Sequence, residues 1–221
     1  MRTTQTLWEN LHAQARFRPL YPHEAVVRFL MTQFPHEIDA RKNLRVLDLG
    51  CGAGRHTLLF AEQGFRTYAT DFSLPGLKVT RERLAARELD AELAIADMHA
   101  LPFADAALDG IIAFGVLYYN DWNGVQCAVQ EMRRVLNAGG KAHIVTRTTG
   151  DYRCGKGERI DTHSYCLNIA ETNERDMVMC FLERADVTAL FENFSRITVD
   201  RIEYTTDEWR VDSDWIITVT K

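Results

Sequence analysis

An apolar stretch running into a glycine-rich turn at residues 46–56 constrains the fold of this chain more than any other feature. Val46-Leu47-Asp48-Leu49 has the composition of a buried strand, and Gly50-Cys51-Gly52-Ala53-Gly54 follows it directly. Glycines permit a tight turn and a close backbone approach that side chains would block. Backbone amides at the start of the next helix can hold a ligand. The stretch predicts a strand, a turn and a helix that together form a binding site.

Strand and helix patterns alternate from residue 44 onward, which predicts an α/β fold with a doubly wound, mostly parallel sheet. The predicted strands are 44–49, 66–71, 91–96, 108–115 and 141–146, and the helices between them include 55–63, one capped by Ser73, and one with Val125, Ala128, Met132 and Val135 on a single face. A helix with Val187, Leu190, Phe191 and Phe194 on one face then precedes two β-rich runs, 197–204 and 215–220. We expect this last pair to form a closing antiparallel hairpin.

The glycine turn differs from two common phosphate-binding motifs. The dinucleotide fingerprint needs a third small residue where this chain has Arg55, and the Lys-Ser/Thr ending of a Walker A loop is missing. Asp48 would repel a pyrophosphate but attract an ammonium or sulfonium group. The turn therefore favours a cationic cofactor over a dinucleotide.

Asp48-Leu49-Gly50-Cys51-Gly52-Ala53-Gly54 resembles the first motif of the class I S-adenosylmethionine-dependent methyltransferases, an acid followed by three alternating glycines. The order of predicted elements over residues 40–221 is similar to the Rossmann-like fold of that family. The resemblance implies a seven-stranded sheet with a final antiparallel strand, and S-adenosylmethionine as the cofactor. We expect one domain over 1–221, with a helical N-terminal lid at 1–40 and a cap insertion at 148–179.

Candidate cofactor-binding residues lie at the carboxyl ends of the predicted strands, where open parallel sheets bind ligands. Asp71 stands about 20 residues past the glycine turn, the position from which an acid binds ribose hydroxyls. The resemblance implies that Asp97 meets the adenine amino group, that Phe72 and Met98 form an apolar slot for the base, and that Phe114 lies beside the methionine part. The predicted set also includes the turn itself, namely Asp48, Gly50, Cys51, Gly52 and Gly54.

Candidate catalytic residues are Tyr119, His12 and His163. The run Phe114-Gly115-Val116-Leu117-Tyr118-Tyr119 lacks the acid-, Asn- or Ser-Pro-Pro-aromatic motif of family members that methylate nucleic-acid bases. It looks more like small-molecule methyltransferases, many of which have a histidine where Tyr119 stands. Tyr119 could orient an acceptor, but a phenol with an ordinary pKa near 10 is a poor base at neutral pH. His12, in the expected lid, and His163, in the expected cap, are the candidate bases.

Composition sets the expected partners and compartment. The chain has 221 residues and a formal net charge of -5, which argues against a nucleic-acid substrate. The basic residues between Arg147 and Arg159 form either a solvated loop or a small patch for an anionic substrate. The longest apolar uncharged run, 110–119, is about half of the ~20 residues that a membrane helix needs. We expect a cytoplasmic protein, a monomer or homodimer without a membrane partner.

Cysteine and histidine spacing gives no support to a metal site. The cysteines at 51, 127, 154, 166 and 180 form no C-x-x-C pair, so free thiols are expected. Metal-assisted transfer from scattered acids stays open, as does the identity of the base.

The leading hypothesis is an enzyme that moves a methyl group to an O or N atom of a small molecule, with a sugar-like acceptor preferred. One alternative is a regulatory or scaffolding protein that binds S-adenosylmethionine without transferring its methyl group. Another is a nicotinamide-dependent oxidoreductase, which Arg55 and Asp48 disfavour.

Overall fold

The structure, a computed structural model, describes residues 4–170 and 172–221. The first three residues of the expected lid and residue 171 of the expected cap therefore lie outside the described residues. The helices are α1 (Thr4–His12), α2 (Glu24–Gln33), α3 (Ile38–Arg41), α4 (Arg55–Glu62), α5 (Leu74–Ala85), α6 (Trp122–Val135) and α7 (Arg184–Leu190). The strands are β1 (Arg45–Leu49), β2 (Arg66–Asp71), β3 (Glu92–Ile95), β4 (Leu108–Phe114), β5 (Leu136–Arg147), β6 (Gly157–Arg159), β7 (Ser164–Leu167), β8 (Val178–Cys180), β9 (Arg196–Thr206) and β10 (Arg210–Thr220).

Seven of these strands form one sheet in the order β3-β2-β1-β4-β5-β10-β9. Strand β1 pairs in parallel with both β2 and β4, whereas β10 runs antiparallel to both β5 and β9. The predicted α/β fold with a closing antiparallel hairpin is confirmed. Because the strand order reverses between β1 and β4, a crevice opens beyond the carboxyl ends of these two strands.

The sheet is covered on both faces, and the side-chain alternation of its central strands explains why. Leu47 and Ile111 join one apolar cluster with helices α6 and α7. Their chain neighbours Val46 and Ile112 join a second cluster with α2 and α4. Successive side chains of a strand point to opposite faces, so a nearly continuous apolar run fills both cores. The glycine turn, which follows β1, therefore lies at the carboxyl end of the central strands, between the two apolar clusters.

The expected cap contains a separate antiparallel sheet of strands β6, β7 and β8. Leu167, Met179 and Phe181 form an apolar cluster with Tyr118, and Tyr119 packs against it. The backbone N–H of Cys180 donates to the carbonyl of Tyr118 at 2.8 Å. The segment thus contacts the chain just beyond the end of β4.

The N-terminal region is helical and lies against the glycine turn. Helix α1 contacts α5, and His12 at its end lies beside Ser73, the N-cap of α5. Helix α2 begins after His23, whose ring accepts from the backbone N–H of Ala25. None of the helices in the described ranges is long and apolar enough to cross a membrane.

Candidate active site

The glycine turn adopts a backbone that other residues rarely tolerate. Gly50 and Gly54 have φ values of 68° and 77°, in the left-handed region that favours glycine. A Cβ on Gly50 would lie 2.4 Å from Cγ2 of Val116, and one on Gly54 would lie 2.5 Å from Cγ2 of Thr80. The alternating glycines therefore let the turn pack directly on the segment after β4 and on helix α5.

Asp71, at the end of β2, holds the glycine turn in place through hydrogen bonds. Its Oδ2 accepts from the backbone N–H of Gly52 at 2.7 Å, and its Oδ1 accepts from that of Ser73 at 2.7 Å. The residue is only 6% exposed, and burial raises the pKa of its carboxyl group. Asp71 thus holds the glycine turn and the start of α5 in one arrangement while it lines the space above them.

A cavity of about 780 Å³ opens at this point, above the crevice between β1 and β4. Its volume falls within the ~300–1,000 Å³ typical of small-molecule sites. One end is lined by the predicted residues Gly50, Cys51, Gly52, Asp71, Phe72, Asp97 and Met98. His12 also lies at this end, with its Nε2 3.2 Å from where a Cβ on Gly52 would stand, and the other end is lined mainly by aromatic side chains, namely Trp8, Phe17, Phe114, Tyr118 and Tyr119. The two ends belong to one continuous space.

Three of the predicted site residues do not line this cavity. Asp48 is 2% exposed, and its Oδ2 accepts from the hydroxyl of Thr57 at 2.6 Å. The carboxyl group of Asp48 lies under the glycine turn. It therefore does not reach the cavity, where direct attraction of a cationic cofactor group was expected. Gly54 instead packs on Thr80.

His163, a candidate base, also lies away from the cavity. Its Nε2 is 3.2 Å from Oδ1 of Asp186, and its ring stacks on Trp122 with centroids 4.3 Å apart. These contacts connect the cap to α6 and α7. His163 thus packs between these elements and does not lie beside the other candidate catalytic residues.

The other two candidate catalytic residues do meet at the cavity. Nδ1 of His12 lies 2.9 Å from the hydroxyl of Ser73, and burial lowers the pKa of His12. The Tyr119 hydroxyl donates to Oε1 of Glu174 at 2.8 Å. Burial raises the pKa of Tyr119 well above its usual value, so this side chain stays a neutral phenol. Trp8 joins the two, since its ring lies edge-on to Tyr119 and tilted against His12.

Sequence reasoning missed two side chains at this site. Arg55 lines the cavity, with its guanidinium 4.8 Å from the ring centroid of Phe114; its position after the glycine turn was a usable signal. Glu174 holds Tyr119, but it lies in a stretch without periodicity, and no sequence signal connects it with a tyrosine 55 positions away.

The basic residues of 147–159 are not one surface patch. Arg147 and Arg153 are 9% and 6% exposed and make ion pairs with Asp151 and Asp212. Arg159 is exposed. Both alternatives drawn from the sequence, a solvated loop and an anion-binding patch, are wrong for the two buried arginines because acidic side chains already neutralise them.

The comparisons with known proteins agree with this geometry. Residues 46–140 match the family model described as a methyltransferase domain. The match covers less than half of the chain and shows a likeness to methyltransferases over this segment. The match covers β1 to the start of β5, including the glycine turn and the strand ends that carry Asp71 and Asp97.

Two curated relatives are similar to about half of this chain. A demethylmenaquinone methyltransferase of Thermus thermophilus is 38% identical over 104 residues, 46% of this chain and 46% of the relative. A malonyl-[acyl-carrier protein] O-methyltransferase of Pseudescherichia vulneris is 32% identical over 114 residues, 52% of this chain and 43% of the relative. The chain thus matches less than half the length of either.

A solved structure extends the likeness in fold to nearly the whole chain. The 1,6-didemethyltoxoflavin-N1-methyltransferase of Burkholderia thailandensis, solved with its substrate and S-adenosylhomocysteine, matches with a TM-score of 0.63 and 18% identity over 99% of this chain and 79% of its own. The expected Rossmann-like methyltransferase fold is confirmed, and the match of residues 46–140 agrees with the expected methyltransferase family.

The residues of this segment fit S-adenosylmethionine as the cofactor. The turn presents backbone without side chains where Gly50 and Gly52 line the cavity. The carboxylate of Asp97 is 67% exposed; His99 holds its Oδ1 through the backbone N–H at 2.9 Å and through Nδ1 at 2.6 Å. The hydrogen bonds found for Asp97 among the described residues fall on Oδ1, which leaves Oδ2 available to a ligand. The acid, the buried Met98 and the glycine turn supply polar and apolar contacts suited to an adenosine group.

Proposed function

We propose that this chain transfers the methyl group of S-adenosylmethionine to an O or N atom of a small molecule. The observation that carries the proposal is one continuous cavity that joins the glycine turn and its acids to an aromatic end. Holding two reactants in one such space in line for reaction lowers the barrier by as much as ~7–11 kcal/mol. The names of two of the compared proteins, an O-methyltransferase and an N1-methyltransferase, support these acceptor atoms.

The cofactor end has a defined task for each side chain. When bound, the cofactor supplies a methyl group already activated on a sulfonium. Asp71 orients the ribose hydroxyls, Asp97 accepts from the adenine amino group, and Phe72 and Met98 contact the base. Arg55 offers a cation for the carboxylate of the methionine part. Asp48 acts indirectly, by supporting the turn through Thr57.

The acceptor end has aromatic walls, and one candidate base, His12, lies beside Trp8 and against the glycine turn. His12 is buried and has a lowered pKa, so it is neutral at physiological pH and able to take a proton from an acceptor hydroxyl or amine. Tyr119 positions the acceptor and does not act as the base. A base in this position contributes about 10²- to 10⁴-fold when the acceptor must lose a proton. The aromatic lining favours a flat ring over the sugar-like acceptor expected from sequence, and the quinone named for one relative has such a ring.

Thermal unfolding with S-adenosylhomocysteine and with NAD in parallel tests the cofactor part. A ligand present at 100 times its Kd stabilises the folded protein by about 2.7 kcal/mol. S-adenosylhomocysteine should therefore raise the Tm, and NAD should not. Asp71→Ala should weaken binding of S-adenosylhomocysteine at least tenfold. It should also lower the stability of the unliganded protein, because two buried backbone N–H groups lose their acceptor. Stabilisation by NAD alone would overturn the proposal.

Methyl transfer itself is tested by incubating the protein with methyl-labelled S-adenosylmethionine and fractionated small-molecule extracts. We expect a labelled product that disappears in the Asp71→Ala variant. Binding of S-adenosylhomocysteine without labelled product in any fraction would favour the alternative of a regulatory protein that only binds the cofactor.

A further inference from the structure

Two neighbouring side chains at the start of helix α4 form part of the cavity wall beside Phe114. Arg55 and His56 both line the cavity. The guanidinium of Arg55 lies 4.8 Å from the ring centroid of Phe114, and the centroid of the His56 imidazole lies 5.1 Å from the same point. The two side chains therefore flank one aromatic ring.

His56 is held in one tautomer by the backbone of the N-terminal region. The backbone N–H of His23 donates to Nε2 of His56 at 3.2 Å. Because a backbone N–H cannot accept, Nε2 carries no hydrogen. Burial, with the neighbouring charge of Arg55, lowers the pKa of His56 well below its usual value. The ring is therefore neutral at physiological pH, and its hydrogen is on Nδ1.

The Nδ1–H group of His56 has no protein acceptor in the part of the chain that the structure describes. Although His56 is only 4% exposed, its Nδ1 is not completely enclosed, and the open space that this residue borders is the cavity. A buried N–H group without an acceptor costs free energy. A ligand in the cavity can supply the missing acceptor.

Arg55 adds a cation to this donor. Among residues 4–170 and 172–221, its guanidinium has no hydrogen bond or ion pair. Asp48 attracts it through space, but the carboxyl group of Asp48 lies under the turn and accepts from Thr57. A guanidinium beside an imidazole N–H offers donors and no acceptor, and a carboxylate, with two acceptor oxygens, matches that pattern.

We propose that Arg55 and His56 form a carboxylate-binding subsite in which His56 binds the ligand through its Nδ1–H group. This inference rests on the proposed function, since it assigns a ligand group within the same cavity. Two molecules of the proposed reaction can bring a carboxylate to this subsite. One is the cofactor, through its methionine part, and the other is an acceptor that is itself a carboxylic acid.

A matched pair of ligands tests the subsite through the cofactor product. S-adenosylhomocysteine and its decarboxylated analogue, S-adenosyl-3-thiopropylamine, differ in one carboxylate, and calorimetry measures the Kd of each. One hydrogen bond to a charged group changes affinity by about tenfold or more. With one such bond from each of Arg55 and His56, the wild type should bind S-adenosylhomocysteine about a hundredfold more tightly than the analogue.

Two substitutions of His56 separate ligand binding from packing. In His56→Gln, the amide oxygen stands where Nε2 stands and keeps the bond from His23, but the Nδ1 donor is lost. In His56→Asn, the amide nitrogen takes the place of Nδ1, and the bond from His23 is lost. The affinity ratio should fall about tenfold in His56→Gln and stay near the wild-type value in His56→Asn. A merely structural role would weaken both ligands together, and more so in His56→Asn.

An aromatic acid tests the second source of the carboxylate. In the presence of saturating S-adenosylhomocysteine, binding of 2-naphthoate is compared with that of 2-methylnaphthalene, which has a methyl group in place of the carboxylate. If the cofactor pair shows a ratio near one, a preference of about tenfold for 2-naphthoate that disappears in His56→Gln would assign the subsite to the acceptor.

Binding of S-adenosylhomocysteine to the wild type distinguishes the two proposals. If it does not bind, the proposed function fails, and the subsite fails with it. If it binds but the carboxylate improves the affinity of neither pair, the subsite is overturned and the proposed function stands. The same conclusion follows if His56→Gln keeps the wild-type ratios of both pairs.

Discussion

The carboxyl group of Asp48 lies fully buried beneath the glycine turn with a hydrogen bond from Thr57. Burial dominates and raises its pKa from 3.8 to about 6. The raised value means that the folded state prefers the protonated form, because a buried carboxylate loses hydration that one hydrogen bond does not replace. Asp48, which the motif predicted to contact the cofactor, is therefore a residue whose negative charge opposes folding.

Asp48→Asn should change how stability depends on pH. The contribution of Asp48 is full below its unfolded pKa of 3.8 and is lost as pH rises through about 6. At 1.36 kcal/mol per pKa unit this amounts to about 3 kcal/mol at most. Asn has a similar shape, can accept from Thr57 and does not titrate. The stability of the variant relative to wild type should therefore rise across this pH window and level off above it.

Denaturant unfolding at several pH values from acid to neutral measures this difference. Asp214, whose pKa is also raised to about 6, is unchanged in both proteins, so its contribution cancels in the comparison. A difference that stays constant with pH would contradict the assignment of the raised pKa to Asp48.

At the scale of elements, Arg83 of α5 ties the N-terminal region to the glycine turn. Its guanidinium donates to the carbonyls of Ala53, Arg18 and Pro19 at 2.7–2.9 Å. One side chain thus connects the turn with the segment that follows α1, the helix that carries His12. The position of His12 over the turn depends on this connection between elements.

Arg83→Ala should loosen the segment between α1 and α2. We expect amide hydrogen exchange over residues 8–20 to become at least about tenfold faster, since the loss of one hydrogen bond to a charged group exceeds 1.4 kcal/mol. The matched control is Arg87→Ala, two residues past the end of α5, which removes an exposed ion pair with Glu62. Equal exchange in the two variants would show that Arg83 does not hold this segment.

At the scale of the whole molecule, a buried charge network joins the cap to the main sheet. The side chain of Asp151 is fully buried and pairs with Arg147 of β5 and with Arg153. Both arginines also reach Asp212 of β10. Because each charge has an opposite partner, the network is tolerated in the interior, and removal of one member leaves an uncompensated charge.

Arg153→Met should lower the free energy of unfolding by about 3 kcal/mol or more, because Asp151 and Glu174 lose a buried partner. Arg159→Met is the control, since Arg159 is exposed and donates to nearby backbone carbonyls at 2.9 and 3.3 Å. Denaturant unfolding measures both. A loss below 1 kcal/mol for Arg153→Met would show that Arg147 alone neutralises Asp151.

The sequence predicted the sheet well but placed some boundaries poorly. Strand β2 spans 66–71 as expected, whereas β5 begins at Leu136 instead of Lys141. Leu136 already pairs with Leu108 of β4, and a register irregularity follows before Gly110 pairs with Lys141. Pairing with a distant strand decided this boundary, and local composition does not report it.

The sequence by itself determined the fold, the glycine turn and the resemblance to methyltransferases, because strand alternation, glycine spacing and acids at strand ends are local patterns. It placed Arg153 and Arg159 in one basic cluster and treated Asp48 as a ligand contact. Only the tertiary structure decided which charges are buried, that His163 lies away from the cavity, and that Glu174 meets Tyr119. Burial and hydrogen-bond partners depend on residues far apart in the chain, so they exist only once the chain has folded.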